Sequence, residues 1–397
     1  MASTSSLDKM LKFTILNPPQ RLTLWVILST LLLLTKPSYQ QLPYSSYPSN
    51  YHFQNPRLEK AYIALQAWKL TFIEDPKNLT ANWCGPDVCN YTGVFCAPAP
   101  DDPTVTTVAG IDLNSGNISG WIHDDLSLLC DVALIHLNSN RFFGTIPFSF
   151  RDLKLLYELD VSNNKLSGGF PNVILWIPSL KYFDIRFNQY SGTIPTEVFD
   201  LKLDALFINN NNFTSAFPKN IGNFQGSVIV LANNNFGGCL PSSISKMAAT
   251  LNEVVFINSG LTGCLPPEIG SLTQVTVFDV SFNNLVGKLP ETIGKMKSLE
   301  QLNVAHNRLS GEISESICTL PKLENFTFSD NYFCTEPPVC LWLKEKNDTR
   351  NCIPYRPEQR PPYECEAFYK HPVDCSSYGC WPKSPPPSRP PPVHYYP

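Results

Sequence analysis

The chain of 397 residues is long enough for two or three ordinary domains, yet only 16% of it is charged, against about 25% in an average globular protein. Thirty Lys and Arg face 34 Asp and Glu, and a net charge of -4 supplies neither the positive field that a phosphate backbone requires nor an acidic disordered tail. Nucleic acid is excluded as a partner, while 36 Pro, 13 Cys and 33 Asn describe a proline-punctuated chain suited to an oxidising compartment.

Residues 1–38 read as a signal peptide: Lys9, Lys12 and Arg21 precede an apolar run from Leu22 to Leu34, which is too short to span a bilayer, and Ser38 offers a cleavage point. No later segment has the length and apolarity of a membrane span, so the mature protein is expected to be secreted and extracellular. Residues 39–54 read as an extended linker and 55–104 as an N-terminal cap. In that cap a helix is predicted over Pro56 to Phe72, with Leu58, Tyr62, Leu65 and Phe72 covering the first rung of the repeats downstream. Sequons at Asn78, Asn90, Asn117, Asn212, Asn325 and Asn347 predict N-glycosylation of a secreted chain.

From 105 to 340 a unit of about 24 residues recurs, of the form L-x-L-x-x-N-x-L-x-G-x-I-P. Clear copies run Leu159, Val161, Asn164, Leu166, Gly168, Pro171 and Phe278, Val280, Asn283, Leu285, Gly287, Pro290. The prolines fall at 147, 171, 195, 218, 241, 266 and 290, and about ten units can be threaded. Apolar residues two apart make a short parallel strand with inward side chains, and Asn at each turn satisfies backbone groups of the neighbouring rung. One unit cannot bury its own face. Stacking therefore predicts an α/β repeat fold, a leucine-rich repeat solenoid with a strand-lined concave face as its natural binding surface. Gly116 and Ser259 break the Asn ladder.

The oxidising compartment favours disulfides. Cys239 and Cys264 each precede a repeat proline by two residues, so adjacent rungs place them side by side and they are expected to pair. Cys89 with Cys96 and Cys84 with Cys130 is the simplest closure near the cap, one of three connectivities open to four cysteines. The other seven, Cys318, Cys334, Cys340, Cys352, Cys365, Cys375 and Cys380, leave one over, which predicts a spare thiol or a disulfide-linked homodimer. The nearest approach to a metal site is Cys375 and Cys380 beside His371; no metal and no other cofactor is assigned.

Residues 341–380 form a cysteine-rich tail and 381–397 a proline-rich end, with seven prolines in the last 13 residues expected as polyproline II. The order of parts is distinctive: plant-type repeats with the L-x-G-x-I-P extension, the cap segment WCGPDVCNYTGVFC (Trp83 to Cys96), Glu315 to Cys334, then R-P-E-Q-R, P-V-D-C (Pro372 to Cys375) and Ser384-Pro385-Pro386-Pro387. With these motifs the chain resembles the plant leucine-rich repeat extensin family over nearly all of 55–397. The resemblance implies binding of small secreted cysteine-containing peptides of the rapid alkalinization factor class, association with cell-wall polymers, and a role in wall organisation and growth control. The chain departs from the family in having a single S-P-P-P and no long S-P(4) array.

If the strand register is right, outward concave positions include Glu158 and Asp160, then Tyr182, Asp184 and Arg186, then Phe207, Val228, Val230, Glu253 and Val255. The sequence reading makes Tyr182 and Phe207 the anchors of a peptide groove, with Glu158, Asp160 and Asp184 meeting a basic ligand; the competing reading is a tolerant surface, since single exposed apolar residues are ordinary. An enzyme is not expected. The six histidines are dispersed, neither H-E-x-x-H nor G-x-S-x-G is present, and the adjacent Asp124 and Asp125 point apart on a loop. The alternative function is an inhibitor of microbial wall-degrading glycosidases, since polygalacturonase inhibitors share the repeat type.

Overall fold

The computed structural model describes residues 51–378. The leader at 1–38, nearly all of the linker at 39–54, Cys380 and the proline-rich end at 381–397 lie outside the described residues. From His52 onward the described chain forms one unit.

A helix opens it. Asn55 caps Pro56–Lys69 by accepting from the Arg57 and Leu58 amides at 2.9 and 3.1 Å, and Pro56 fills the first helical position, where a missing N–H costs nothing. The helix ends three residues before the expected Phe72; Leu58, Tyr62 and Leu65 are buried, and Phe72 packs its ring on Trp68 and Phe142.

Each repeat then adds one three-residue strand to a 12-stranded sheet. The strand Val94–Pro98 joins antiparallel, and from Thr106–Asp112 onward every neighbour is parallel, in unbroken register to Glu345–Asn347. From Leu134–His136 to Asn325–Thr327 the middle residue of each strand points inward and is buried: Ile135, Leu159, Phe183, Leu206, Ile229, Val254, Phe278, Leu302 and Phe326. Between rungs runs the Asn ladder. Asn164 accepts from the Phe142 amide of the previous rung at 2.9 Å and donates to the carbonyls of Leu137, Val161 and Ser162 at 2.8 to 3.1 Å. Buried backbone groups that no strand can pair are satisfied this way.

The two breaks have structural accounts. At Gly116 a Cβ would stand 2.9 Å from the Asn140 side-chain oxygen, so the first rung leaves room for its neighbour's ladder residue. Ser259 reaches carbonyls of Leu231 and Ile257 at 3.4 and 3.2 Å but lacks the second arm of an amide. Near this rung the second, lateral sheet divides, into five strands from Ser119–Trp121 to Asn212–Phe213 and four from Thr262–Gly263 to Tyr332–Thr335.

The solenoid also continues past residue 340. Asn351 holds the ladder position, accepting from the Phe333 amide, although the strand Glu345–Asn347 has Lys346 where an apolar residue belongs. Lys346 is accommodated by ion pairs to Glu336 at 2.8 Å and Asp348 at 2.5 Å, and by the Phe328 ring. The tail then straps the lateral side: Phe368 of the helix Pro362–Tyr369 stacks on Tyr332 at 3.8 Å, with Arg360 near the same ring at 4.3 Å.

The cysteines depart from the expected pairing. Cys89 and Cys96 are bonded, but Cys264 is bonded to Cys375 rather than to Cys239, which is itself disulfide-bonded elsewhere. The reason lies at Gly287: a Cβ there would meet Cys264 Sγ at 2.8 Å and Cys375 Sγ at 3.1 Å, so Cys264 turns toward the following rung and away from Cys239. Cys318–Cys340 and Cys352–Cys365 close the C-terminal end. Cys84 and Cys130 are free thiols. Asp131 bonds Arg57 at one end of the cap helix and the Trp83 carbonyl accepts from Lys69 at the other. Roughly 18 Å of helix separates those two attachments, and a disulfide needs Cα atoms within about 7 Å. Cys334 is the third free thiol among the described residues. Cys375, being in a disulfide, is not a thiolate for a metal; no metal-binding cluster occurs among the described residues.

Candidate functional site

Two columns of outward side chains run along the concave sheet. One reads Glu158, Tyr182, Ala205, Val228, Glu253, Val277, Gln301, Asn325 and Glu345. The other reads His136, Asp160, Asp184, Phe207, Val230, Val255, Asp279, Asn303, Thr327 and Asn347. Register alone therefore divides the face into an acidic start, an apolar middle and a polar end.

The apolar middle begins with an aromatic pair. Tyr182 and Phe207 lie with ring centroids 5.4 Å apart, and the Arg186 guanidinium sits 5.2 Å from the Phe207 centroid. Both rings are half-buried, as are Val228, Val230, Val255 and Val277 beyond them. Glu253 stands exposed beside that valine stretch, while at the acidic end Glu158 is 2.9 Å from the His136 ring and Asp160 accepts from the Ser162 amide.

Asp184 is a correction to the sequence reading. Its side chain has 0% exposure: Arg186 Nε lies 3.0 Å away, the Arg186 amide donates to it at 3.0 Å, and the Tyr182 hydroxyl lies at 3.3 Å. An outward strand position is thus roofed by its own neighbours, and its carboxyl does not meet a ligand. Burial first, and the adjacent Asp160 charge second, push its pKa up to about 7. Burial, then Asp184, likewise pushes the Tyr182 hydroxyl up to about 12. What the face presents is Arg186, Tyr182 and Phe207, with Glu158, Asp160 and Glu253 as its exposed or half-buried acids.

The sequence reading missed Val277 and Asp279, which continue both columns, and a second concavity altogether. A cleft of about 530 Å³ lies between the tail strap and the lateral side, walled by Leu265, Leu289, Pro290, Phe368, Tyr369 and Val373. Its signal in the sequence was the aromatic pair of the tail, which periodicity does not place.

Fold and face together define a plant-type leucine-rich repeat solenoid with a graded concave ribbon. Residues 61–97 match the Leucine rich repeat N-terminal domain family, and 155–175, 274–296 and 298–320 match Leucine Rich Repeat. The chain is 61% identical over 331 residues to Leucine-rich repeat extensin-like protein 6 of Arabidopsis thaliana, covering 83% of this chain and 70% of that protein. It is 53% identical to Leucine-rich repeat extensin-like protein 7 of the same plant, covering 85% and 79%. Of protein 2, at 53% identity, it spans 42%. It belongs to the leucine-rich repeat extensin-like family. Among solved structures it resembles the Arabidopsis receptor kinase HAESA in complex with the peptide hormone IDA and the co-receptor SERK1, at TM-score 0.66 and 28% identity, over 74% of this chain and 50% of that one. A plant ice-binding protein shares the fold at TM-score 0.63 and 24% identity, over 78% of this chain and 99% of that one. No helix among the described residues is long and apolar enough to cross a membrane.

Proposed function

We propose that this protein is a secreted, wall-associated binding module whose concave ribbon takes a small basic, cysteine-containing signalling peptide of the rapid alkalinization factor class. The observation that carries the reading is the run of half-exposed apolar side chains from Tyr182 and Phe207 through Val228, Val230 and Val255 to Val277, bordered by Glu158, Asp160 and Glu253. Aromatic anchors supply most of the affinity in such grooves, and exposed acids supply orientation and association rate. The HAESA structure, solved with a peptide hormone, is the resemblance that supports a peptide ligand; membership of the extensin-like family supports the wall setting. The test is a titration of the secreted full chain with basic cysteine-bridged plant peptides, run beside a polygalacturonase inhibition assay. Saturable peptide binding without inhibition is expected, and inhibition without peptide binding would replace this reading with the inhibitor one.

A further inference from the structure

Four of the six sequon asparagines lie off the concave sheet: Asn78, Asn90 and Asn117 around the cap, and Asn212 on the lateral sheet. The remaining two occupy its last two strands. Asn325 opens Asn325–Thr327 and Asn347 closes Glu345–Asn347, one strand spacing apart, with Thr327 and Asn347 in register. In both, the sequon threonine hydroxyl donates to the asparagine's own side-chain oxygen, at 3.0 Å for Thr327 and 2.9 Å for Thr349. That contact ties each side-chain carbonyl to its own sequon threonine and leaves the amide nitrogen out of the pairing. Asn325 Nδ2 spends one hydrogen on Glu345 at 3.4 Å, and a glycosylated amide keeps one hydrogen for that purpose.

Every side chain around these two asparagines in the outward columns is polar: Gln301, Asn303, Thr327 and Glu345. A stretch with no apolar surface to offer a ligand and two sequons in its midst is built to be solvated. We propose that Asn325 and Asn347 carry N-linked glycans that cover the C-terminal end of the concave ribbon and fix where a ligand's path stops. In that modification the amide nitrogen displaces the polyprenyl diphosphate from the anomeric carbon of a lipid-linked oligosaccharide: a C–N bond forms, a C–O bond breaks, and one amide proton leaves. The shield stands without any ligand; that it delimits a peptide rests on the reading above.

The full chain, secreted from plant cells, is mapped by glycopeptide mass spectrometry. Both asparagines are expected to be occupied, and an unmodified Asn325 or Asn347 overturns the proposal. Shielding is then read with Gln301→Cys, exposed beside Asn325, and Glu158→Cys, six strands from Gln301 in the sheet order. A polymer-coupled maleimide is applied before and after peptide-N-glycosidase, with labelling quantified peptide by peptide so that native thiols serve as references. Deglycosylation should speed labelling at Gln301→Cys by about tenfold and leave Glu158→Cys within about twofold. Asn325→Gln/Asn347→Gln in the same background should reproduce the fast rate. Equal change at both probes, or none at Gln301→Cys, overturns the shield whether or not any peptide binds.

Discussion

The strands from Tyr182–Asp184 to Val277–Asp279 and those from Gln301–Asn303 to Glu345–Asn347 share one backbone and differ in what they show the solvent. Inward, the two halves resemble each other: Phe183, Leu206 and Ile229 in the first, Leu302 and Phe326 in the second, all buried. Outward, the first offers an aromatic pair and valines and the second offers amides, hydroxyls and carboxylates. The ladder and core dictate the inward residue and leave the outward one unconstrained. The apolar exposure of the first half is therefore not a by-product of folding, and it is there that a ligand is sought.

The largest expected effect tests the shared part. Asn188→Ala in the first half and Asn307→Ala in the second each remove a side chain holding four backbone partners. Each should cost about 2–4 kcal/mol, read by chemical denaturation. A marked inequality between them would show that the halves differ in scaffold as well as surface. Next comes Asp184, whose raised pKa gives the first half a pH dependence of its own. The folded protein keeps a proton that the unfolded chain, with its ordinary carboxyl, releases above about pH 4. Stability should therefore fall as pH climbs from about 4 to about 7. Asp184→Asn should flatten that slope in thermal unfolding at several pH values; a slope unchanged by the substitution would relocate its origin. The smallest effect concerns the cap. Cys84 and Cys130 are both exposed, but partial burial, then Asp131, raises the Cys130 thiol, so alkylation near neutral pH should modify Cys84 before Cys130. On a non-reducing gel, any reductant-sensitive dimer should vanish with Cys84→Ser, and its persistence would move the bridge to another thiol.

Much of this was legible in the sequence, for reasons that differ by level. A repeat of about 24 residues with Asn at a fixed place sets the strand register, so Tyr182, Phe207, Val228, Val230 and Val255 could be placed outward from the sequence alone. The burial of Asp184 could not, because it depends on Arg186 and Tyr182 folding over it, a side-chain event with no periodicity. The last rung was hidden because Lys346 breaks the apolar pattern and is rescued by Glu336, ten residues upstream. Cys264–Cys375 spans 111 residues, and adjacency of rungs favoured the wrong partner; only the space at Gly287 shows which way the sulfur turns.

The most direct test of the groove is a calorimetric titration of one basic cysteine-bridged peptide against three forms of the secreted chain: native, Tyr182→Ala and Gln301→Ala. Loss of the Tyr182 ring should weaken binding by about thirtyfold, the equivalent of 2 kcal/mol, and Gln301→Ala should leave it within about twofold. Equal losses, or a larger one at Gln301, would contradict the assignment of the apolar half of the ribbon as the binding surface.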